Sequence, residues 1–345
     1  MPDVRLADLT TLRLGGPAHS VIETGSAEEI VAAVSAADRA GRAVLLVGGG
    51  SNLVVSDDGF DGDVVLLRSR GVRVESAGED RVRVTVAAGE PWDDFVVRAV
   101  GEHWAGLECL SGIPGLVGAT PVQNVGAYGA EVAQTVISVE LYDRTSAACR
   151  TIAGSACGFA YRTSIFKHSD RWVVLSVTFE LPAAGRSAPI TYTDLARALD
   201  VGVGESVPLA AAREAVLAQR RARGMVLDPG DHDTWSAGSF FTNPIVPVQR
   251  YDAIAAAAGD GVPHWPDRDG TVKLSAAWLI QHAGYGKGYG VGSVTLSTKH
   301  TLALTNRGGA TSRDLVRLAR EIRDGVHQTW GVELSPEPLL VGVDL

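Results

Sequence analysis

The sequence lacks the residue patterns that mark several common classes of protein. Its three cysteines, Cys109, Cys149 and Cys157, are odd in number and show no Cys-x-x-Cys spacing, which argues against a disulfide framework and against a zinc site. It contains no basic run, and its net charge is −9 with a pI near 5.4. Sequence-independent nucleic-acid binding needs a basic surface. We therefore expect no bound metal and no nucleic-acid partner.

Long apolar segments are missing as well. No uncharged apolar run approaches the roughly 18–20 residues of a membrane-spanning helix, and no basic amphipathic helix indicates binding to a membrane surface. The first residues, MPDVRLADLTTLRLGG, include acidic side chains and no apolar core, unlike a signal peptide. These features predict a cytoplasmic protein without a membrane partner.

Helical and strand patterns both occur along the 345 residues. Ser26 and Glu29 form a capping box that predicts a helix over 27–40, and residues 81–88 alternate as a half-buried strand does. Further strands are predicted at 20–23, 43–47, 135–142 and 172–181, and further helices from Pro91 onward, at 208–223 and at 312–330. The expected buried face of the helix after Pro91 consists of Trp92, Phe95, Val96 and Ala99. This mixture predicts an α+β fold with domain boundaries near residues 70 and 205.

The most informative segment is Ser111–Gly129, which has no charged side chain but five glycines and two prolines. Surface loops usually carry charge, and core strands seldom contain so much Gly and Pro. A second glycine-rich segment, Gly48–Gly50, directly follows a predicted strand. Backbone of this kind can wrap closely around a large ligand or a phosphate. Two such loops in one chain predict a large cofactor held from both sides.

Two common nucleotide-binding motifs do not fit these loops. A Rossmann loop requires a third glycine where this chain has Leu53, and Asp57-Asp58-Gly59 would interrupt the helix that should follow. A Walker loop requires a Gly-Lys-Ser/Thr string, which follows neither glycine cluster. The remaining possibility is a pyrophosphate held by backbone N–H groups, by the Ser51 hydroxyl and by the Asn52 amide.

Taken together, the strings LLVGGGSNLVVSDDGFDGDVV and GIPGLVGATPVQNVGAYG closely resemble the UDP-N-acetylenolpyruvoylglucosamine reductases. The resemblance runs from about Thr11 to the C-terminus. It implies an α+β chain with an FAD-binding fold of the vanillyl-alcohol-oxidase type. The implied domains are two FAD-binding subdomains, at 1–70 and 71–205, and a C-terminal α+β substrate domain at 206–345, whose last segment carries Glu337 back to the flavin.

The same resemblance implies the cofactors and the reaction. NADPH would reduce FAD, and the reduced flavin would then transfer hydride to the methylene carbon of UDP-N-acetylglucosamine enolpyruvate, giving UDP-N-acetylmuramate for peptidoglycan synthesis. Many proteins with this fold attach flavin to a His in the first loop, but Gly48–Leu53 contains none, so we expect noncovalent FAD. The implied cofactor-binding residues are Gly48, Gly50, Ser51, Asn52, Ile113, Ala119, Val122 and Gly126.

Three residues match the family's catalytic positions. Arg162, in YRTSIFK, carries a planar cation able to bind a carboxylate through two parallel hydrogen bonds. Ser239, in SAGSFFTNP, matches the proton donor, and Glu337, in SPEP, matches the third catalytic group. Taken singly, each residue is more typical of an ordinary salt bridge, turn or surface loop. The complete strings favour the catalytic assignment.

The expected substrate-binding residues rest on shorter matches. Tyr128 and Tyr192 correspond to tyrosines that meet the diphosphate, and Tyr192 indicates the family's first type, in which a loop carrying this Tyr covers the substrate. Arg223 stands where the family often has Lys. Asn243, Gln281 and Lys287 are further candidates. Two extra residues between Pro229 and Ser239 are expected to reshape the nearby loop.

Two alternatives remain open at this point. The first is a noncovalent flavin oxidase with the same fold, which would use oxygen instead of NADPH. The second is a flavin-binding or nucleotide-sugar-binding module that has lost its chemistry. The absent attachment His and the Ser239 and Glu337 matches disfavour the oxidase, and the presence of all three catalytic residues disfavours the binding module.

Overall fold

The computed structural model describes residues 4–259 and 261–345. These residues form two compact units. The N-terminal unit contains Ala18–Gly50 and Asp61–Val226. The C-terminal unit contains the described residues through Pro17, together with Ser51–Phe60 and Leu227–Leu345.

Both units combine helices with strands. The α-helices described are α1 (Ala27–Arg39), α2 (Trp92–Gly101), α3 (Thr193–Ala198), α4 (Leu209–Ala222), α5 (Val248–Ala258), α6 (Ala276–His282) and α7 (Ser312–Trp330). The strands described are β1 (Ala18–Thr24), β2 (Val44–Val47), β3 (Leu53–Val55), β4 (Phe60–Leu67), β5 (Val72–Ser76), β6 (Arg81–Ala87), β7 (Gly126–Ala127), β8 (Ala130–Glu131), β9 (Val136–Asp143), β10 (Ala148–Ala153), β11 (Trp172–Pro182), β12 (Ile245–Pro247), β13 (His264–Pro266), β14 (Thr271–Leu274), β15 (Val294–Leu296), β16 (Leu304–Asn306) and β17 (Leu339–Val341).

The N-terminal unit is built on an antiparallel sheet with strand order β10-β9-β11-β6-β5. Strand β6 buries Val84 and Val86, as its alternating sequence predicts. Helix α2 contributes Trp92 and Phe95 to the same core, where the Phe95 ring centroid lies 5.2 Å from that of Phe179 on β11. The buried face predicted for α2 is therefore confirmed, because all four of its residues are buried.

A smaller sheet, β1-β4-β2, leads into the first glycine loop. Helix α1 begins as predicted: the Ser26 hydroxyl accepts a hydrogen bond from Glu29 N at 3.2 Å. The Glu29 carboxylate accepts a hydrogen bond from Gly25 N at 2.7 Å. In a standard capping box this carboxylate would accept from the N–H of the N-cap residue itself, here Ser26. Strand β2 pairs in parallel with β4 and ends at Val47, immediately before the glycine loop.

The C-terminal unit has its own apolar core. Helix α7 begins at a capping box in which the Thr311 hydroxyl accepts from Asp314 N, and it ends at Gly331 in the left-handed conformation. Its buried residues pack with those of α6 and of the paired strands β15 and β16. A second pairing joins an early and a late part of this unit's sequence, because β17 runs parallel to β3. This pairing places the C-terminal segment beside the residues that follow the first glycine loop.

The compact units do not follow the boundaries predicted near residues 70 and 205. Helix α4 packs with the N-terminal unit, since its buried Ala212 and Val216 share a cluster with Ile190 and Leu195. The C-terminal unit also takes in the short segment Ser51–Phe60. The three domains at 1–70, 71–205 and 206–345 stay a prediction. Among the described residues, no helix combines the length and apolar character needed to cross a membrane.

The aromatic core of the N-terminal unit gives a direct test of this packing. Replacing Phe95, which is 3 % exposed, with Ala should lower the free energy of unfolding by about 3–5 kcal/mol, because a large buried ring leaves a cavity. The control Val97→Ala, on the same helix at 49 % exposure, should cost about 0.5 kcal/mol or less. Chemical denaturation measures both. Equal losses for the two variants would contradict the assigned buried face.

Candidate active site

The two glycine loops of the N-terminal unit touch each other. A Cβ atom added at Gly49 would lie 2.8 Å from the Gly115 Cα, and one added at Gly48 would lie 3.2 Å from the Leu116 side chain. Arg68 fixes the first loop from the other side, because its Nη1 donates to the Gly48 carbonyl at 3.1 Å. The two predicted cofactor loops are therefore neighbours, and a side chain at Gly49 would force them apart.

The second loop is attached to the residues around the start of α2. Gly115 O accepts from Trp92 N at 3.0 Å, and Val117 N and Gly118 N donate to Glu90 O and Ala88 O, each at 2.9 Å. A Cβ atom at Gly118 would lie 2.5 Å from that of Ala88, so glycine is required for this approach. Hydrogen bonds from its backbone therefore hold the loop in place. Within the loop, the side chain of Ala119 is exposed and that of Val122 is half-buried.

Arg162 lies against the second glycine loop. Its Nη2 donates to the Gly126 carbonyl at 2.8 Å, and its own carbonyl accepts from Lys167 Nζ at 3.0 Å. Arg162 has a φ of 52°, in the left-handed region that non-glycine residues rarely occupy. Such strain is often found at functional sites. The structure thus brings the predicted catalytic Arg162 together with the predicted cofactor residue Gly126.

Further hydrogen bonds hold the Arg162 segment on this loop. The Ser164 hydroxyl donates to the Val122 carbonyl at 2.6 Å. Asn124, which is 1 % exposed with a φ of 47°, donates from Nδ2 to the Ala160 carbonyl at 3.2 Å and to the Glu131 carboxylate at 2.8 Å. The sequence interpretation missed Asn124. An Asn within a glycine-rich neutral loop is a usable signal, because Asn tolerates the left-handed conformation.

Ser239 and Glu337 lie on adjoining segments of the C-terminal unit. Glu337 N donates to the Phe240 carbonyl at 2.8 Å, and Thr242 N donates to the Ser335 carbonyl at 3.1 Å. Phe240 is 1 % exposed and anchors its segment in the core. Backbone hydrogen bonds on either side of Phe241 therefore hold the Ser239 segment beside the Glu337 segment, in antiparallel order.

Within the C-terminal unit, Asn52 is hydrogen-bonded to the Glu337 segment. Its Nδ2 donates to the Glu337 carbonyl at 3.3 Å, while its own carbonyl accepts from Leu339 N at 2.9 Å. The Glu337 peptide is thus held by Phe240 through its N–H and by Asn52 through its carbonyl. Asn52 was predicted only as a cofactor residue, and this second contact follows from the β3–β17 pairing.

The turn before Ser239 is fixed by a buried carboxylate that the sequence interpretation missed. Asp233 is 4 % exposed, and it accepts hydrogen bonds from Thr298 N at 2.9 Å and Arg307 Nη2 at 2.8 Å. Burial raises the pKa of Asp233, but these donors outweigh it and bring the pKa below its usual value. The segment between Pro229 and Ser239, where two extra residues were expected, contains a short 3₁₀ turn, His232–Thr234. Asp233 ties this turn to Thr298 and Arg307.

The predicted diphosphate residues of the N-terminal unit lie together. The rings of Tyr128 and Tyr192 meet edge to face, with centroids 5.5 Å apart. Arg223 Nη2 lies 3.8 Å from a carboxylate oxygen of Asp194. Asp194 lies in the first turn of α3, and Tyr192 is the N-cap residue of that helix. Burial raises the pKa of Tyr128, and the charges of Arg220 and Arg223 oppose that rise. This arrangement can offer hydroxyl and guanidinium donors to an anion.

The remaining substrate candidates belong to the C-terminal unit. Asn243 Oδ1 accepts from Ala276 N at 2.9 Å, at the start of α6. Gln281 lies in the last turn of that helix and is exposed, as is Lys287 in the glycine-rich segment that follows. The structure connects Asn243 with the helix that contains Gln281. The roles of all three residues stay predictions.

Comparisons with known proteins show which family the chain resembles. Residues 228–341 match the family model described as UDP-N-acetylenolpyruvoylglucosamine reductase, C-terminal domain, and residues 18–151 match the model described as FAD binding domain. The UDP-N-acetylenolpyruvoylglucosamine reductase of Salinispora arenicola is 56 % identical, with 99 % of this chain and 96 % of that protein aligned. That of Thermobifida fusca is 54 % identical, with 99 % and 98 % aligned.

A solved structure supports the same fold. The crystal structure of UDP-N-acetylenolpyruvylglucosamine reductase from Thermus caldophilus matches with a TM-score of 0.65 and 23 % identity, covering 98 % of this chain and 97 % of that chain. At this identity the match concerns the fold alone. Together with the FAD binding domain match, it confirms the predicted α+β architecture with an FAD-binding domain.

The contact between the glycine loops can be tested by adding one methyl group. Gly49→Ala should lower the free energy of unfolding by about 1–3 kcal/mol, because its Cβ cannot occupy the space beside Gly115 without moving the backbone. The control is Gly185→Ala, where a Cβ would meet no atom within 4 Å. Thermal or denaturant unfolding measures both variants. A Gly49→Ala protein as stable as the control would show that the loops do not touch.

Proposed function

Because the chain belongs to the family of UDP-N-acetylenolpyruvoylglucosamine reductases, FAD-dependent oxidoreductases of peptidoglycan precursor synthesis, we propose that it uses NADPH to reduce the enolpyruvyl ether of UDP-N-acetylglucosamine. The product is the lactyl ether, UDP-N-acetylmuramate. The observation that carries the proposal is the backbone link between the Ser239 and Glu337 segments. This link supports the proposal, because it joins the segment that carries the Ser239 hydroxyl to the segment that carries the Glu337 carboxyl group.

The glycine loops fit FAD. Tightly packed glycines form both loops: a Cβ at Gly126 would lie 3.2 Å from Arg162 Nη1 and 2.8 Å from the Glu131 side chain. Backbone N–H groups of such loops bind phosphates well, and we assign FAD to Gly48, Gly50, Ser51, Asn52, Ile113, Ala119, Val122 and Gly126. When bound, FAD supplies the hydride, which it receives from NADPH and passes to the methylene carbon of the substrate.

Arg162 binds and stabilises the substrate's carboxylate in this proposal. Hydride addition at the methylene carbon leaves negative charge on the neighbouring carbon and its carboxylate. The guanidinium of Arg162 is already held in place by the Gly126 carbonyl, with its carbon 5.4 Å from the Tyr161 ring centroid. A donor fixed in advance stabilises developing charge by about 3 kcal/mol. Glu337 contributes a second polar group for the same charge.

Ser239 completes the reaction by donating its hydroxyl proton to the carbon next to the carboxylate. A serine hydroxyl is a weak acid, but a carbanion is a strong base, so this proton transfer is favourable. The position of the hydroxyl depends on Phe240, which is buried, and on the hydrogen bond from Glu337 N. Tyr128, Tyr192 and Arg223 bind the substrate's diphosphate in this proposal, and Asn243, Gln281 and Lys287 contact the rest of the nucleotide sugar.

The mode of flavin attachment gives one prediction. Gly48–Leu53 contains no His, so we expect FAD to be held without a covalent bond. Acid precipitation of the purified yellow protein should release all FAD into the supernatant, where its absorbance and chromatographic mobility identify it. Flavin that stays with the precipitated protein would contradict the prediction.

The role of Ser239 gives the decisive test of the function. Ser239→Ala should keep nearly the full rate of flavin reduction by NADPH, because that step needs no substrate proton. Reoxidation of the reduced flavin by the enolpyruvyl substrate should slow by about 10²–10⁴-fold, the scale expected for a lost general acid. Rapid mixing under anaerobic conditions follows both half-reactions separately.

Ser239→Cys is the matched control, because a thiol can still supply a proton. It should reoxidise faster than Ser239→Ala. Equal slowing of both half-reactions in Ser239→Ala would assign Ser239 to structure or flavin binding. A wild-type protein whose reduced flavin reacts with oxygen but not with the enolpyruvyl substrate would contradict the proposed function as a whole.

A further inference from the structure

Arg220, in the last turn of α4, is an unusual cation. Its Nε has no accessible surface and no hydrogen-bond partner in the described part of the chain. Its Nη2 donates to the Met225 carbonyl at 2.7 Å. Burial lowers the pKa of Arg220, which shows that its surroundings oppose a positive charge. A guanidinium in such a place normally has a carboxylate partner.

Asp93 has a charge that acts on Arg220, but it does not supply that partner. Asp93 uses both carboxylate oxygens for Arg213, at 2.7 and 2.8 Å, and one of them also accepts from Gly112 N at 2.6 Å. Within residues 4–259 and 261–345, no carboxylate lies within ion-pair distance of Arg220. The charge of Arg220 is therefore only partly balanced by protein groups.

A second cation increases the imbalance. The charge of Arg223 lowers the pKa of Arg220 further, and both charges act on Tyr128. Arg223 is half-buried, and it has Asp194 at 3.8 Å as a distant partner. The ring of Tyr192 meets that of Tyr128. Two cations and two hydroxyl groups thus share a region in which Asp93 is already paired with Arg213 and Asp194 lies 3.8 Å from Arg223. An anion with two charged groups would balance the remaining positive charge.

The position of Arg220 also indicates where such an anion lies. A Cβ atom at Gly112 would be 3.5 Å from Arg220 Nε and 2.7 Å from the Leu217 side chain. Arg220 therefore lies beside the entry of the neutral loop Ser111–Gly129, which also contains Tyr128. Because Gly112 has no side chain, only its backbone lies near the guanidinium of Arg220.

We propose that Arg220 is the principal binding residue for the diphosphate of the nucleotide substrate, with Arg223 in a secondary role. The inference rests on the proposed function, and it deepens it by assigning a residue that the sequence resemblance did not. Arg220 is fixed before the ligand binds, by the helix and by the Met225 carbonyl, so little side-chain entropy is lost on binding. Arg223 is more exposed and must exchange Asp194 for the ligand.

The test uses the FAD-loaded protein and UDP as the probe. Calorimetric titration should show that Arg220→Met weakens UDP binding by about 10- to 100-fold, the effect of losing a charged hydrogen-bond donor. Arg220→Lys should weaken it less, because the charge remains but the planar fork is lost. Arg223→Met should have a smaller effect than Arg220→Met. The matched control Arg221→Met, an exposed neighbour on α4, should leave UDP binding unchanged.

A second measurement separates binding from structure. Without ligand, Arg220→Met should unfold at a denaturant concentration no lower than that of wild type, because replacing a poorly balanced cation by an apolar side chain relieves desolvation. A lower midpoint would make Arg220 a structural residue and overturn the inference. Weakened FAD binding with unchanged UDP binding would move the anion to the cofactor's diphosphate, which also overturns it.

The remaining outcomes distinguish this inference from the proposed function. Unchanged UDP affinity in Arg220→Met, in a protein whose wild type reduces the enolpyruvyl substrate, would overturn the role of Arg220 alone. A wild-type protein that neither binds UDP nor reduces that substrate would overturn both. Selective loss of UDP affinity, with FAD binding and stability kept, is the expected result.

Discussion

The close approach of two stretches of bare backbone underlies the candidate active site. Gly49 and Gly115 lie so close together that a single Cβ atom would push them apart. Backbone hydrogen bonds connect the second loop to the residues around the start of α2. Arg162 then depends on that loop, since Gly126 and Val122 accept hydrogen bonds from Arg162 and Ser164. A change at the glycine contact would therefore be transmitted to a proposed catalytic cation.

The C-terminal unit positions the two side chains proposed for catalysis by a different means. Ser239 and Glu337 lie outside the helices that the structure describes, and their segments are fixed by hydrogen bonds between backbones and by the buried Phe240 and Phe241. Asp233 fixes the turn that precedes Ser239 through Thr298 and Arg307. Functional side chains need support of this kind, because a small displacement costs much of the catalytic advantage.

Local patterns were predictable from the sequence, and long-range partners were not. The N-cap of α1, the buried face of α2 and the length of α7 follow from residue spacing over a few turns. The reductase strings also identified the family. The partners of Asp233 lie 65 and 74 positions further along the chain. The unbalanced charge of Arg220 depends on how Asp93 is shared, which no local pattern reveals.

The pairing of β17 with β3 has a consequence for the order in which the chain folds. Leu53–Val55 is synthesised before most of the N-terminal unit, but its partner Leu339–Val341 is made only after all of that unit. The core of the N-terminal unit ends at Val226, so it can form while the remaining residues are still on the ribosome, as domains commonly do. During that interval β3 is an unpaired edge, a feature that favours association with other chains. The peptide of Glu337 can reach its place beside Asn52 only after the whole N-terminal unit has been synthesised.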